Sequence, residues 1–431
     1  MGQTIVHVLL VENGTVIDPA SGLHVRADLL IAQGKVSQVF VPQMPKGQLS
    51  SDVPVIDARG KIVAPGLIDM HVHPREPSRE DEETLHSGCE AAAAGGFTAV
   101  APMPNADPVA DTPEVVRLVL DAAKGAKARV YPIAAITKRR KGKALADLKA
   151  LRNAEAVALS DNGSGVQDAA LMLQAFQAAA RLDLLIITHP EVACLTQGGA
   201  MNEGPVAGQL GLKGMPGLAE ELMIARDVAL AEYANARLRT AHVSTARSVE
   251  LVRQAKAKGI QVTCEVTPHH FTLTEEAVRT LGTNAKMNPP LRAADDVAAV
   301  KQGLADGTID AIDSDHAPHS IDEKQTAFAE AAFGVVGLAT ALGLVLTELV
   351  KPGWISLSQA IEKLATAPAR ILGIDAGRLA RGKPADVTII DPESGWVVDV
   401  NKFHSKSRNS PFDGCILSGK ATMTFPDGAP V

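Results

Sequence analysis

Residues 156–189 read AVALSDNGSGVQDAALMLQAFQAAARLDLLIITH. Two short apolar runs, 156–160 and 184–188, flank a stretch at 168–181 whose apolar residues recur three or four apart. Run length and the flanking turn residues favour buried strands, and the spacing between them predicts a helix with one core-facing stripe. Strand, helix and strand in this order form the unit of a parallel sheet.

The same alternation extends from about residue 60 to residue 320, with apolar runs at 66–70, 97–103, 129–136, 156–160, 184–188, 238–241, 261–266 and 310–314. Helical periodicity also marks 219–234 and 245–258, and the alanines Ala91 to Ala94 belong to a helix. Eight repeats suggest a (β/α)8 barrel of TIM type, although a doubly wound open sheet alternates in the same way, so motif placement has to decide. The first sixty residues differ: VLLVENGTVID, ADLLIAQGKVSQVF and PVIDARGKIVAP read as strands broken by Gly and Asn turns. GRLARGKPADVTIIDP and ILSGKATMTFPDG repeat that texture at the far end. The expected architecture is therefore an α/β chain with a barrel over 61–370 and a small β-sandwich domain built from both termini, 1–60 and 371–431.

With 431 residues, 46% hydrophobic and only 3% aromatic, the chain can bury one large aliphatic core and a smaller satellite. The net charge of -7 and the absence of an aromatic-interleaved basic stripe argue against a nucleic-acid partner. MGQTIVHVLLVENG has no basic leader region, and no uninterrupted apolar window reaches membrane-spanning length, so no membrane association and a cytoplasmic location are expected. Cys89, Cys194, Cys264 and Cys415 form no CxxC pair and read as ordinary buried thiols. The cationic run TKRRKGK, spanning Lys138 to Lys141, reads as a solvated loop.

His71 and His73 stand at the end of the first barrel strand, where the two-residue period puts both imidazoles on one face. His189 follows LLIIT, His242 follows LRTA, and Asp315 follows DAIDS, each at the carboxyl end of its run. In a (β/α)8 barrel such positions converge on the catalytic mouth, so motif placement favours the barrel and a metal centre.

PGLIDMHVHPREP, MPN at Met103 to Asn105, HVSTARSVELV, CEVTPHHFTLT, KMNPPLR, SDHAPH at Ser314 to His319 and FGVVGLAT together resemble the dihydroorotases of the amidohydrolase superfamily over nearly the whole chain. The resemblance implies a zinc centre held by His71, His73, His189, His242 and Asp315. Neutral imidazoles leave the metal's charge free to lower the pKa of a bound water toward about 7. It also implies a small-molecule substrate, N-carbamoyl-L-aspartate closing reversibly to L-dihydroorotate in pyrimidine synthesis, with Asp315 carrying the proton. Arg75, with Asn105 and His319, would hold the substrate carboxylate, and Asn288 and the backbone at Phe333 and Gly334 would contact the ring. From the residues alone, Asn105 beside prolines also reads as a turn residue, and Arg75 as a partner of Glu76 or Glu80.

The pattern breaks at Ser160-Asp161-Asn162-Gly163, where such relatives carry Asp-Asp-Gly and the second aspartate bridges two metals. Asn162 takes the bridging position, and Asp161 points to the opposite face, so one or two zinc ions are expected, with the second position weakened. No lysine stands there to form the carbamylated bridge of hydantoinases and allantoinases. Pro190, directly after His189, is a further departure. Two other readings follow: an inert scaffold for aspartate transcarbamoylase, favoured by Asn162, or a related enzyme opening hydantoin or allantoin rings. A homo-oligomer is expected in each case.

Overall fold

The computed structural model describes residues 8–42, 44 and 52–431. Strands form within all eight apolar runs of the central region, and every pairing among them is parallel. They fall into two sheets. Leu67–Val72, Phe97–Pro102 and Arg129–Val130 make one. Ile133–Ala134, Ala158–Ser160, Leu185–Thr188, Leu238–Thr240, Val262–Val266 and Ala311–Ile312 make the other. The single run at 129–136 thus supplies a strand to each, interrupted at Tyr131-Pro132, where proline has no N–H for the ladder.

Helices connect these strands. Ala169–Arg181 buries Met172, Ala175, Phe176 and Ala179, one stripe at helical spacing, and Asp168 caps it by accepting from the Ala170 and Leu171 N–H groups. Thr245 caps Ala246–Ala257 through the Ser248 N–H, and Thr84 and Ser87 form a reciprocal capping box at the start of Leu85–Ala94. The result is an α/β fold. Among the described residues no helix is long and apolar enough to cross a membrane.

Both ends of the chain share a seven-stranded sheet, ordered Ile416–Phe425, Val387–Val397, Ile62–Pro65, Val8–Asp18, Leu23–Ala32 and Lys35–Phe40, with Val55–Asp57 also on Val8–Asp18. Ile62–Pro65 is the joint. It runs parallel to the first strand and antiparallel to Val387–Val397, so this sheet extends past residue 60. The hairpin between Ala32 and Lys35 turns on Gln33 and Gly34, both at positive φ (53° and 71°), the primed turn that suits strand twist. A side chain at Gly34 would also meet the Asp427 carbonyl at 2.7 Å.

The expectation of buried thiols holds for Cys89 and Cys264 only. Cys194 lies on the short surface helix after His189 and Cys415 in the turn before the last strand, and both are exposed. Burial pushes the Cys89 and Cys264 thiols up to about 12, so neither forms appreciable thiolate, the reactive species, at about pH 8. Native-state thiol titration at that pH should modify Cys194 and Cys415 and spare the other two until the protein unfolds. Labelling of Cys89 or Cys264 in native protein, located by peptide mapping, would contradict their burial.

Candidate metal centre

Strand ends carry the metal-ligating residue types. His71 lies within Leu67–Val72 and His73 just past it, His189 directly follows Leu185–Thr188, His242 follows Leu238–Thr240, and Asp315 lies three residues beyond Ala311–Ile312. His242 and Asp315 take positive φ values of 35° and 48°, which re-aims both side chains where each strand stops. A cavity of about 240 Å³ opens there. Eleven of the twelve residues singled out in the sequence line it, together with Gly163 and Ala317, while His71 lies behind them with no exposed surface. A larger cavity of about 380 Å³, beside Trp396 and Phe403, has no comparable convergence of imidazoles and carboxylates.

Hydrogen-bond partners fix which ring nitrogens face inward. His71 Nδ1 lies 2.8 Å from Glu265 Oε1 and His73 Nδ1 2.9 Å from Asn105 Oδ1; both oxygens only accept, so both Nδ1 atoms carry the proton. Each Nε2 then turns its lone pair toward Asp315 Oδ1, at 3.4 Å for His71 and 3.0 Å for His73. Lone pairs facing one another at such distances repel unless a cation lies between them. These three residues therefore fit a metal ion, and their ligand atoms all lie within 4.8 Å of one another.

His189 and His242 form a second pair, with Nδ1 of the first 3.0 Å from Nε2 of the second. The outer nitrogen of His189 donates to Glu191 Oε2 at 3.0 Å, whereas His242 Nδ1 is buried without a partner among the described residues. Asn162 sits between the two groups, its amide nitrogen 2.7 Å from His71 Nε2. Burial holds the His71 and His242 imidazoles well below their usual range, and at His71 the Asp315 carboxylate opposes this without reversing it. Burial alone would raise the Asp315 carboxyl, but His71, His73 and His242 together hold it well below its usual range. Neutral imidazoles beside an ionised carboxylate are the protonation states a metal requires.

The other wall suits an anion. Arg75 reaches the Pro318 carbonyl (3.0 Å) through Nε and His319 Nε2 (3.2 Å) through one Nη, and its carboxylate neighbour is Glu82 at 3.4 Å. Glu76 instead accepts from the Leu85 N–H, and Glu80 from the Ser78 N–H. His319 Nδ1 lies 2.8 Å from Glu323, and Arg79 joins Glu323 to Glu82 with contacts of 2.9 and 2.8 Å. Asn105 uses its oxygen on His73, which leaves its NH2 group for the cavity. Asn288 donates to Glu191 Oε2 at 2.7 Å. Gly334 has both main-chain polar groups engaged, its N–H with Lys286 and its carbonyl with Lys324 and Asn409. What it gives the cavity is space, since a Cβ there would stand 3.2 Å from His319 Nε2 and 2.6 Å from Ala317 Cβ.

Sequence reading did not single out Glu82, Glu191, Glu265 or Glu323, because their importance comes from partners distant in the chain. The available signal was Glu265, the one charged residue inside the strand Val262–Val266. The cationic run is solvated as expected at Lys138, Arg139 and Lys141, and departs from that reading only at Arg140. Arg140 is half-buried, its guanidinium donates to the Asn162 carbonyl and, at 3.1 Å, to Ser164 Oγ, and it braces the loop behind the site. Asp161 faces away from the cavity and accepts from the Ile136 and Thr137 N–H groups and the Thr137 hydroxyl.

Comparison with known proteins gives concordant results. Residues 60–248 match the model of the Dihydro-orotase-like family. A dihydroorotase of Pelotomaculum thermopropionicum is 50% identical over 420 residues, 97% of each chain. One of Geotalea daltonii is 49% identical over 97% of this chain and 98% of its own. Among solved structures, the L-hydantoinase (dihydropyrimidinase) of Arthrobacter aurescens superposes with a TM-score of 0.89 at 27% identity, covering 98% of this chain and 95% of that one. A D-hydantoinase, 23% identical with a TM-score of 0.85, shares the fold over 98% of this chain and 95% of its own. Identity near one half over nearly the full length, with the strand-end histidines and Asp315 gathered at one cavity, shows that the chain belongs to the dihydroorotase family of cyclic amidohydrolases.

Proposed function

We propose that this chain is an active, zinc-dependent dihydroorotase that closes N-carbamoyl-L-aspartate to L-dihydroorotate, and reopens it, in pyrimidine synthesis. The observation that carries the reading is the single cavity with metal-ligating side chains on one wall and the Arg75–His319 anion site on the other. His71, His73 and Asp315 would hold the first metal ion, and His189 and His242 would serve a second position that Asn162 leaves weakened. When bound, zinc supplies Lewis acidity toward the amide carbonyl and lowers the pKa of water.

Asp315 carries the proton. Both imidazoles address its Oδ1, which leaves Oδ2 to take a proton from the attacking water and return it to the departing ring nitrogen. Arg75, the Asn105 NH2 group and His319 grip the substrate carboxylate. Asn288 and the Phe333 backbone approach the ring, and Gly334 makes room for it. A hydantoin or allantoin ring has no carboxylate to engage Arg75, which favours the dihydroorotate reading over that alternative. Asn162 keeps one other reading alive, an inert scaffold for aspartate transcarbamoylase.

The larger architecture is read in the same sense. The two parallel sheets meet at the continuous run 129–136 on one side, and at the Val72–His316 bridge with the His73 N–H to His316 carbonyl bond of 2.8 Å on the other. This supports a closed (β/α)8 barrel that begins at Leu67–Val72, with both termini and Ile62–Pro65 read as a flanking β-sandwich domain, so that the boundary falls after Pro65 and not at residue 60. Exposed Leu218, Leu222 and Tyr233 on the helix Leu218–Ala234 support a homo-oligomer. Free cysteines throughout support a cytoplasmic location.

Turnover of dihydroorotate and carbamoyl aspartate by the purified chain alone, with metal content measured on the same sample, tests the proposal. A folded, metal-loaded chain that is inactive until aspartate transcarbamoylase is added would transfer the case to the scaffold. Asp315→Asn should lower turnover about 10²-fold or more, the usual weight of an acid-base group, and unchanged turnover removes Asp315 from that role. Arg75→Gln should raise KM for both substrates about 10-fold or more, since a charge-assisted pair is lost, with little change in circular dichroism. Asn162→Asp should increase bound zinc per chain, and an unchanged stoichiometry and affinity would remove Asn162 as the cause of a weak second position.

A further inference from the structure

Glu265 has no exposed surface and belongs to no wall of the cavity, yet it touches two of the histidines that line or back the centre. Its Oε1 accepts from His71 Nδ1 at 2.8 Å and lies 3.4 Å from the His242 main-chain nitrogen. The second contact steadies a residue held at a φ of 35°, outside the region ordinary side chains favour. Its Oε2 is ion-paired with Arg239, which is equally buried. Arg239 also pairs with Asp313 and reaches the Met70 carbonyl at 3.4 Å, and Asp313 Oδ1 accepts from the Met70 N–H at 3.0 Å. Glu265, Arg239, Asp313, Met70 and His71 thus close a ring of contacts drawn from three strands and the end of a fourth.

We infer that Glu265 is a positioning residue for the metal centre, fixing His71 in the tautomer whose Nε2 lone pair faces Asp315, with Arg239 as its permanent counter-charge. The inference rests on the reading of His71 as a metal ligand. A neutral imidazole has one N–H, and the other nitrogen binds the cation. A carboxylate only accepts, so Glu265 compels the proton onto Nδ1 and makes Nε2 the better donor. Without an acceptor at Nδ1, the proton is free to move to Nε2 and block the ligand position. Arg239 pairs with the carboxylate and prevents it from rotating away, because one guanidinium holds both Glu265 and Asp313.

The test is the zinc dissociation constant of apo-protein, measured by competition with a chromophoric chelator, for the wild type, Glu265→Gln and His71→Ala. Glu265→Gln should weaken zinc binding about 10- to 100-fold while the apo-protein keeps its far-ultraviolet circular dichroism and cooperative melting. Wild-type affinity in Glu265→Gln, with His71→Ala weakened, overturns the positioning role. Wild-type affinity in both variants overturns the His71 ligand assignment first. If Glu265→Gln does not fold, 15N spectra of histidine-labelled wild-type apo-protein decide: a proton on His71 Nδ1 supports the inference, and a proton on Nε2 overturns it.

Discussion

A guanidinium with no exposed surface, Arg239, sits among carboxylates inside the parallel strands, and the geometry of the metal centre is built on that ion cluster. Burying a charge is tolerable only when partners surround it, and losing one such partner typically costs about 3–5 kcal/mol. Asp313 and Glu265 supply the partners, and Asp69 lies close enough to feel the same field. Burial, and then repulsion from Asp313, push the Asp69 carboxyl upward, so a proton on Asp69 lowers the charge imbalance of three acids around one base. The same oxygens hold the backbone: Asp69 accepts from the His71 and Ser314 N–H groups at 3.0 Å each, and Asp313 from the Met70 N–H. Satisfying the buried charge therefore sets the strand ends that bear His71 and Asp315.

Above that layer the requirement reverses. A dication needs neutral donors with free lone pairs and one anion, and burial supplies the first by discharging His71 and His242, while at Asp315 it works against the charge and the surrounding histidines oppose it. Carboxylates and amides one step further out, Glu265, Asn105 and Glu191, occupy the outward nitrogens. Glu191 also receives Asn288, so one acid ties a metal-facing histidine to a residue of the substrate wall. Burial alone would raise Glu191, yet the His189 contact and the Thr196 and Asn288 hydrogen bonds hold it near about 2. Orientation in this site comes mainly from acceptors on the outward nitrogens, Glu265 fully buried and Asn105 and Glu191 partly so.

Features governed by local sequence were legible. The stripe of Ala169–Arg181 and the Gln33-Gly34 turn each follow from residues a few positions apart. So did the placement of histidines after apolar runs, because strand length and side-chain alternation are local properties. Features set by distant partners were not. Nothing near residue 130 shows that one apolar run serves two sheets, and only the docking of Val387–Val397 makes Ile62–Pro65 a terminal-sheet strand. A basic run normally reads as solvated, but Arg140 is drawn inward by a carbonyl more than twenty residues away. Glu265 was hidden for the same reason: an acid in a strand signals an outward face unless its buried counter-ion is known.

Asn162 shows how one neutral substitution alters such a site without disturbing its frame. The loop is clamped on both sides, by Asp161 on the Ile136 and Thr137 N–H groups and by Arg140 on the Asn162 carbonyl, so Asp161 has no route to the vacated role. An aspartate at 162 would add a lone pair opposite His71 Nε2, and only a cation or a proton relieves that repulsion. The asparagine amide relieves it directly, donating to Nε2 at 2.7 Å. At His71 the amide and the first metal ion thus compete for one lone pair, an effect separate from the missing bridging charge at the second position. A buried hydrogen bond of this kind is worth about 1 kcal/mol, and losing it lowers cation affinity by roughly fivefold before any loss of bridging charge is counted. Rotating the amide by half a turn would present its oxygen instead, a neutral ligand that keeps the position usable at reduced strength.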